Sequence, residues 1–316
     1  MASKKTKPGS GKSQVPAKKP INWKKTIVPL FLALTMLLSI FAIAGSSLFK
    51  NSGSSTRDIT LDKSFNNIQD GLRLLPSAPV YARYVDFEAD RNITDWMGEN
   101  LGASIPARSE FGVWPKKDML ANYSAGYFGD YKQQWVSVTD FGNSALINYN
   151  TTDYGGQPIA EINEQYYFTP AMDPVVSGRY ENVVKVLDTV NAGGDNSYAD
   201  YSDLFEKLKG YDTTARDAKL SVVGRECAVN FTDKYYAGLT PKNGYYDYKV
   251  VAHLNRPFNE TEKQEMKSAW EQTAMYVYGF DALNVKFDGD YLVLDGRGNF
   301  ETCIRDMTYV WAFLRS

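Results

Sequence analysis

One long apolar stretch lies near the start of the chain, and shorter alternating segments follow it. From Ile27 to Ala44 no residue is charged, and only Pro29, Thr35 and Ser39 interrupt the apolar run. This is close to the length of ~20 apolar residues that a helix needs to cross a hydrocarbon core. The pattern predicts a single N-terminal transmembrane helix over residues 26–48.

The charges around this segment predict its orientation. The first 25 residues hold eight Lys and no acidic residue, which keeps the N-terminus on the cytoplasmic side. Nine of the 35 basic residues lie in the first 50 positions, so residues 51–316 hold 26 basic and 37 acidic residues, a net charge of about −11. We expect the basic tail either to meet the anionic membrane surface or to stay solvated, and the remainder to bind no nucleic acid.

The same apolar segment has a second interpretation as a cleaved signal peptide. Ala42-Ile43-Ala44 has the small-x-small form that signal peptidases recognise. The apolar run is longer than the usual signal-peptide core of ~7 to 15 residues, and the basic tail before it is also long. These lengths favour a retained anchor over cleavage after Ala44.

Hydrophobic alternation is clearest in the last hundred residues. Leu220 to Phe231 predicts one strand, and Asn243-Gly244 forms a tight turn before a second strand. A helix, a second hairpin around Asp288-Gly289 and a final amphipathic helix follow. The predicted order is β-β-α-β-β-α, an α+β arrangement of antiparallel sheets with helices packed on one face.

The helix between the two hairpins has its own start and stop signals. Asn259 can cap it with Glu262 at the third position, and Gly279 can end it. Residues at helical spacing predict its apolar face: Met266, Ala269, Trp270, Thr273 and Val277.

The first half has less regular patterns, which predict strands and two helices. In it, Asn92 or Thr94 can cap a helix that starts near Arg91. The predicted organisation is a basic tail over 1–25, the membrane helix over 26–48, a tether over 49–64, one α+β part over 65–190, a loop or linker over 191–212, and a second α+β part over 213–316.

Two cysteines and five sequons fit a position outside the cell membrane. Cys227 and Cys303 can form a disulfide in an oxidising compartment, or they can be two separate buried thiols. Asn-x-Ser/Thr acceptor sites occur at Asn92, Asn122, Asn150, Asn230 and Asn259.

Residues with catalytic chemistry are sparse. His253 is the only histidine and lies in a predicted strand, which favours a structural imidazole. No Ser-centred elbow, phosphate loop or dinucleotide fingerprint occurs. Acid groups remain as candidates for a glycosidase pair or for calcium, with turn formation as the simpler explanation. These groups are Asp288, Asp290 and Asp295, and Asp195, Asp200 and Asp203.

Aromatic residues offer a different surface. Trp114, Tyr235, Tyr245 and Tyr246 can line a groove for a glycan or peptide, or adjacent tyrosines can place one ring in the core and one in solvent.

The sequence therefore predicts a membrane-anchored extracytoplasmic binding protein, an accessory subunit of an envelope complex, with the membrane and other envelope proteins as partners. It predicts a single pass with the N-terminus in the cytoplasm and the C-terminal domain outside, and no enzyme activity, catalytic residue or cofactor. The alternative is a cell-envelope glycan hydrolase that uses a carboxylate pair.

Overall fold

A 12-stranded antiparallel sheet forms the centre of this computed structural model. The structure describes residues 59–60, 65–76, 79–100, 121–129, 132–140, 151–163, 166–192, 196–211, 218–225 and 231–309. The strands are β1 (Ile59–Thr60), β2 (Tyr81–Asp86), β3 (Ala121–Gly129), β4 (Lys132–Asp140), β5 (Thr151–Tyr154), β6 (Gln157–Asn163), β7 (Tyr166–Phe168), β8 (Met172–Asp173), β9 (Val175–Gly178), β10 (Leu220–Gly224), β11 (Thr232–Lys242), β12 (Tyr245–Leu254), β13 (Ala282–Asp288) and β14 (Tyr291–Gly298).

Six α-helices accompany the strands in the part of the chain that the structure describes. They are α1 (Ile68–Arg73), α2 (Arg91–Asn100), α3 (Tyr180–Ala192), α4 (Ser202–Lys209), α5 (Glu260–Thr273) and α6 (Phe300–Tyr309). The strand order across the sheet is β13-β14-β12-β11-β10-β2-β3-β4-β9-β7-β6-β5, and β1 pairs separately with β8 in parallel.

The hairpin of β11 and β12 shows how the sheet separates its two faces. Asn243 and Gly244 make the two-residue turn, and Gly244 has a φ of 88°, which a residue without a Cβ adopts easily. Successive side chains of a strand point to opposite faces. Tyr235 and Tyr236 therefore enter two different hydrophobic clusters, one on each side of the sheet.

Helices α2, α5 and α6 cover one face of the sheet. Buried side chains from α2, α5 and α6 pack there against β10, β11, β12, β13 and β14. They include Ile93, Trp270, Ile304 and Met307. Side chains from α1, α3 and α4, including Leu72, Val186 and Phe205, cover the opposite face.

The mixed α+β class and the antiparallel pairing agree with the prediction, but two finer features differ. Helices lie on both faces of the sheet and not on one, because α1, α3 and α4 have apolar faces of their own to bury. The C-terminal order is β-β-β-α-β-β-α: the predicted strand 220–231 ends at Gly224, and β11 is an additional strand.

The helix boundaries test the predicted caps. Asn259 and Glu262 form the predicted capping box at the start of α5. At the start of α2 the cap is neither Asn92 nor Thr94. Asp90 accepts from the backbone N–H of Asn92 at 2.8 Å and of Ile93 at 3.3 Å. An acceptor before the first helical residue satisfies the free N–H groups of the first turn.

The predicted linker 191–212 contains α4, whose buried side chains are Leu204, Phe205 and Leu208. Pairing of β10 with β2 joins the strands of both predicted parts in one sheet, and the domain boundaries themselves stay a prediction. Across the described ranges, no helix has the length and apolar content to span a bilayer. The predicted membrane segment 26–48 lies outside those ranges.

Candidate interaction site

The end of α5 is an unusual local structure. The α-helix passes directly into a π-helical segment over Ala274–Tyr278, here called the π-turn, and Gly279 ends it with a φ of 79°. The backbone N–H of Phe280 reaches back to the carbonyl of Ala274 at 3.1 Å. Single π-helical turns are rare and are found mostly inside α-helices, frequently at functional sites, whereas this one lies at the end of a helix.

The π-turn presents large apolar side chains to solvent. Tyr276 is 86% exposed, Val277 is 70% exposed and Met275 is 39% exposed. Ala274 and Phe280 at its two ends are buried, so the turn is anchored at both sides of the exposed residues. Single exposed apolar side chains are ordinary, whereas contiguous exposed apolar patches mark interaction sites when they are large.

Two side chains of α6 fix the end of the π-turn. Arg305 donates a hydrogen bond of 2.6 Å from Nη2 to the carbonyl of Tyr278, and its guanidinium lies 5.6 Å from the centre of the Tyr278 ring. Thr302 donates from Oγ1 to the carbonyl of Gly279 at 3.4 Å. The last carbonyls of a helix have no partner within the helix, so α6 supplies partners for two carbonyls at this end.

An aromatic cluster holds α5 itself on the sheet. Trp270 stacks between Phe231 and Phe287, with ring centres 5.9 Å and 6.2 Å away. Phe258 packs edge-on against Phe231. Because Trp270 is the buried residue of α5, this cluster is the main apolar attachment of the helix that carries the π-turn.

Asp306 lies on the buried side of α6, one residue after Arg305. It is 2% exposed, and its Oδ2 accepts a hydrogen bond of 2.7 Å from the hydroxyl of Tyr248. Within the part of the chain that the structure describes, its Oδ1 has no hydrogen-bond partner. Burial raises the pKa of Asp306 to about 7, although the Tyr248 hydroxyl and the charge of Arg305 act in the opposite direction.

Burial also raises the pKa values of two groups next to Asp306. It raises the pKa of the Cys303 thiol to about 12, with a further contribution from the charge of Asp306. It raises the pKa of the fully buried Tyr248 in the same way. These groups stay neutral near pH 7, and Asp306 is the member of this cluster that titrates there.

A separate polar cluster connects α4 with the hairpin of β13 and β14. Asp203 accepts hydrogen bonds of 2.7 Å from Lys234 and of 2.7 Å from Tyr291. Burial acts to raise the pKa of Asp203, but these hydrogen bonds outweigh it and leave the pKa below its ordinary value.

Asp288 occupies the same surface. Hydrogen bonds from Lys207, at 2.8 Å, and from Tyr211 lower the pKa of Asp288. Asp203 lies on α4 and Asp288 is paired with Lys207 of the same helix, so α4 links one member of each acid group that the sequence singled out. A carboxyl that donates a proton to a glycosidic oxygen needs a raised pKa, so Asp203 and Asp288 have the wrong protonation state for that step.

Two of the remaining candidate acids, Asp200 and Asp295, and the histidine have structural partners, and Asp295 is paired with Lys249 at 2.5 Å. Asp200 forms an ion pair with Arg225 at 3.2 Å, whereas Asp195 is not among the described residues. The Nδ1 atom of His253 is 2.9 Å from Asp233, which agrees with a structural imidazole. Among the residues that the structure describes, no three His, Cys, Asp or Glu side chains are grouped as a metal site requires.

Of the aromatic residues singled out in the sequence, the three that the structure describes, Tyr235, Tyr245 and Tyr246, are not brought together at one surface. Tyr235 is 2% exposed and Tyr246 is 7% exposed, and both pack in the core. Tyr245 is half-buried, with the guanidinium of Arg297 over its ring at 4.3 Å. Trp114 lies outside the described residues.

Only one of the two cysteines of the predicted disulfide lies among the described residues. Cys303 is buried, but Cys227 lies outside the described residues, so the pairing of these two cysteines stays a prediction.

Sequence reasoning missed the π-turn and placed Val277 on the buried face of the helix. A π-helical turn holds one residue more than an α-helical turn, which rotates the following side chains by about 100°. That rotation carries Val277 into solvent. The apolar run Ala274–Tyr278 was the available signal, because one face of a helix cannot bury five consecutive residues.

No family model and no curated protein matches the chain. Among solved structures, the chain is similar to TP0453 in crystal form I, with 13% identity, a TM-score of 0.46, and coverage of 76% of this chain and 98% of that one. Crystal form III of TP0453 gives 13% identity, a TM-score of 0.48, and coverage of 78% and 99%. These values leave the function of the chain to be argued from its own residues.

Proposed function

We propose that the chain is an envelope-associated binding protein that contacts a partner protein through the π-turn. The observation that carries this proposal is the exposure of Tyr276 and Val277 on a turn that α6 holds in place. A fixed apolar surface binds with a lower entropy cost than a flexible one, because its side chains and backbone are already ordered.

The sequence supports a place for this protein at the membrane. The apolar segment 26–48 serves as a retained single-pass anchor, and the basic tail before it stays in the cytoplasm. The domain with the π-turn then lies outside the cytoplasm, tethered at its N-terminal end. A binding domain held in this way fits an accessory subunit of an envelope complex.

The charge of the domain favours a protein as the partner over an anionic lipid surface. Residues 51–316 carry a net charge of about −11, which repels anionic headgroups. The side chains that the π-turn presents are apolar and aromatic, and Tyr and Met are enriched at the centres of protein interfaces. The complementary surface is therefore an apolar patch of another envelope protein.

A pull-down with a matched variant tests the proposal. The full chain with a C-terminal tag is recovered from native membranes in mild detergent, as the wild type and as the double variant Tyr276→Ser with Val277→Ser. We expect a stoichiometric partner with the wild type and at least a tenfold loss with the double variant. Gln272→Ser, at an exposed position on α5, should keep the partner. Equal recovery with all three proteins would contradict the proposal.

Mass spectrometry of the same bait tests the anchor. An intact N-terminal region in the membrane fraction is the expected result. A bait that begins at Gly45 in the soluble fraction would overturn the anchor and leave a secreted domain.

A further inference from the structure

The buried carboxyl of Asp306 and the two side chains that hold the π-turn belong to the same helix. Thr302 and Arg305 bond the carbonyls of Gly279 and Tyr278. Asp306 lies one helical turn after Thr302, on the same face of α6, and accepts a hydrogen bond from the hydroxyl of Tyr248 on β12. Any change in how α6 sits on the sheet therefore reaches the end of the π-turn.

We propose that protonation of Asp306 controls how firmly α6 docks on the sheet and, through Arg305 and Thr302, how rigidly the π-turn is presented. This inference rests on the proposed function, since it assigns a regulation to that binding surface. The protonated carboxyl is the form in which α6 docks most firmly. The ionised form weakens docking and loosens the turn.

The surroundings of Asp306 make the ionised form costly. One carboxyl oxygen accepts from Tyr248, while the other has no hydrogen-bond partner among the described residues. A buried charge without full compensation is strongly unfavourable. Arg305 is exposed, so solvent screens the attraction between its charge and Asp306. Water cannot solvate the carboxylate while α6 stays docked, because Asp306 is 2% exposed.

Of the residues that the structure describes, the other titratable groups around this position do not compensate the charge. Cys303 on α6 and Tyr248 on β12 are neutral at the pH values concerned, because burial and neighbouring carboxylates raise the pKa of both groups. Tyr235 on β11 is a further titratable neighbour of Tyr248. Asp247 on β12 and Asp281 before β13 add negative charge near Cys303. Arg305 is the cation that acts on Asp306.

The direction of the pH effect follows from linkage. The docked state holds the proton of Asp306 up to a higher pH than the undocked state, in which the carboxyl is solvated. Docking is therefore strongest below about pH 4, weakens by about tenfold for each pH unit up to about pH 7, and is constant above that.

Hydrogen exchange of the full chain in detergent micelles tests this coupling. Protection of the amides in 274–280 and 300–309 is measured from pH 4.5 to pH 8 and corrected for the intrinsic rates. We expect protection of both segments to fall together up to pH 7 in the wild type and to be independent of pH in Asp306→Asn. Asp281→Asn, an exposed carboxylate near the same helix, should follow the wild type.

Unchanged wild-type protection across this range would overturn the proposal, as would the same pH dependence in Asp306→Asn. If Asp306→Asn does not fold, the carboxyl resonance of Asp306 is titrated by NMR in the wild type. A midpoint near 7 supports the proposal, and a midpoint near 4 overturns it. Hydrogen exchange needs no partner, so a failed pull-down refutes the binding function without changing this result.

Discussion

Glu271 on α5 accepts a hydrogen bond of 2.8 Å from the backbone N–H of Val285 on β13. β13 is one of the two outer strands of the large sheet. An outer strand exposes N–H groups that can pair with another chain, and a side chain that occupies one of them limits such pairing. The helix that carries the π-turn therefore also protects the edge of the sheet next to it.

Glu271→Ala should destabilise the domain by about 1–3 kcal/mol, because it leaves the N–H of Val285 without its charged acceptor. Equilibrium unfolding in urea measures this change. Glu271→Gln keeps an acceptor oxygen and should recover part of the loss. Equal stability of Glu271→Ala and the wild type would show that the hydrogen bond contributes nothing.

The capping box at the start of α5 gives a second prediction. Asn259 accepts from the backbone N–H of Glu262 at 2.9 Å, and Glu262 accepts from the backbone N–H of Asn259 at 2.8 Å. Asn259→Ala should cost about 1 kcal/mol of stability, whereas Asn259→Asp should keep most of it. Thermal unfolding of the two variants side by side measures the difference, and equal losses in both would argue against the cap.

The pKa of Asp306, raised to about 7 by burial, predicts a pH dependence of global stability. The folded state holds the proton more tightly than the unfolded state, so stability is highest below about pH 4 and falls as pH rises to about 7. The loss amounts to about 4 kcal/mol over this interval.

Asp306→Asn has no such proton to lose and should be more stable than the wild type at pH 8 but not at pH 4. Urea unfolding of both proteins across this range measures the difference. Other titrating groups, such as Asp203, cancel in the comparison. A difference that is the same at every pH would contradict the buried, titrating carboxyl.

Local signals in the sequence predicted the start of α5 and the end of the helical segment at Gly279, because capping residues and Gly279 act through the nearby backbone. They could not predict β11. Gly238 in that segment resembles a strand breaker, but a Cβ at this position would lie 2.2 Å from the hydroxyl of Tyr236. Gly238 is therefore needed for packing within a strand.

The local sequence pattern also could not predict that helices cover both faces of the sheet. When only one face of a sheet is covered, two adjacent tyrosines of a strand place one ring in the core and the other towards solvent. Tyr246 is buried and Tyr245 is half-buried, which follows this rule. Tyr235 and Tyr236 are both buried, since helices pack on each side of β11. Which face a distant helix covers depends on contacts far apart in the chain.

The candidate site was missed for a related reason. Helical spacing places Val277 with Trp270, but the π-turn changes the rotation after Thr273. The partners that fix this turn, Thr302 and Arg305, come more than 20 residues later in the chain.

The most direct test of the central claim is photo-crosslinking in native membranes. A benzophenone amino acid replaces Tyr276 in the full chain, and a control protein carries it in place of the exposed Gln272 on α5. We expect one discrete adduct with an envelope protein from position 276 and no such adduct from position 272. Absence of an adduct at 276, or the same adducts from both positions, would contradict the claim that the π-turn is the binding surface.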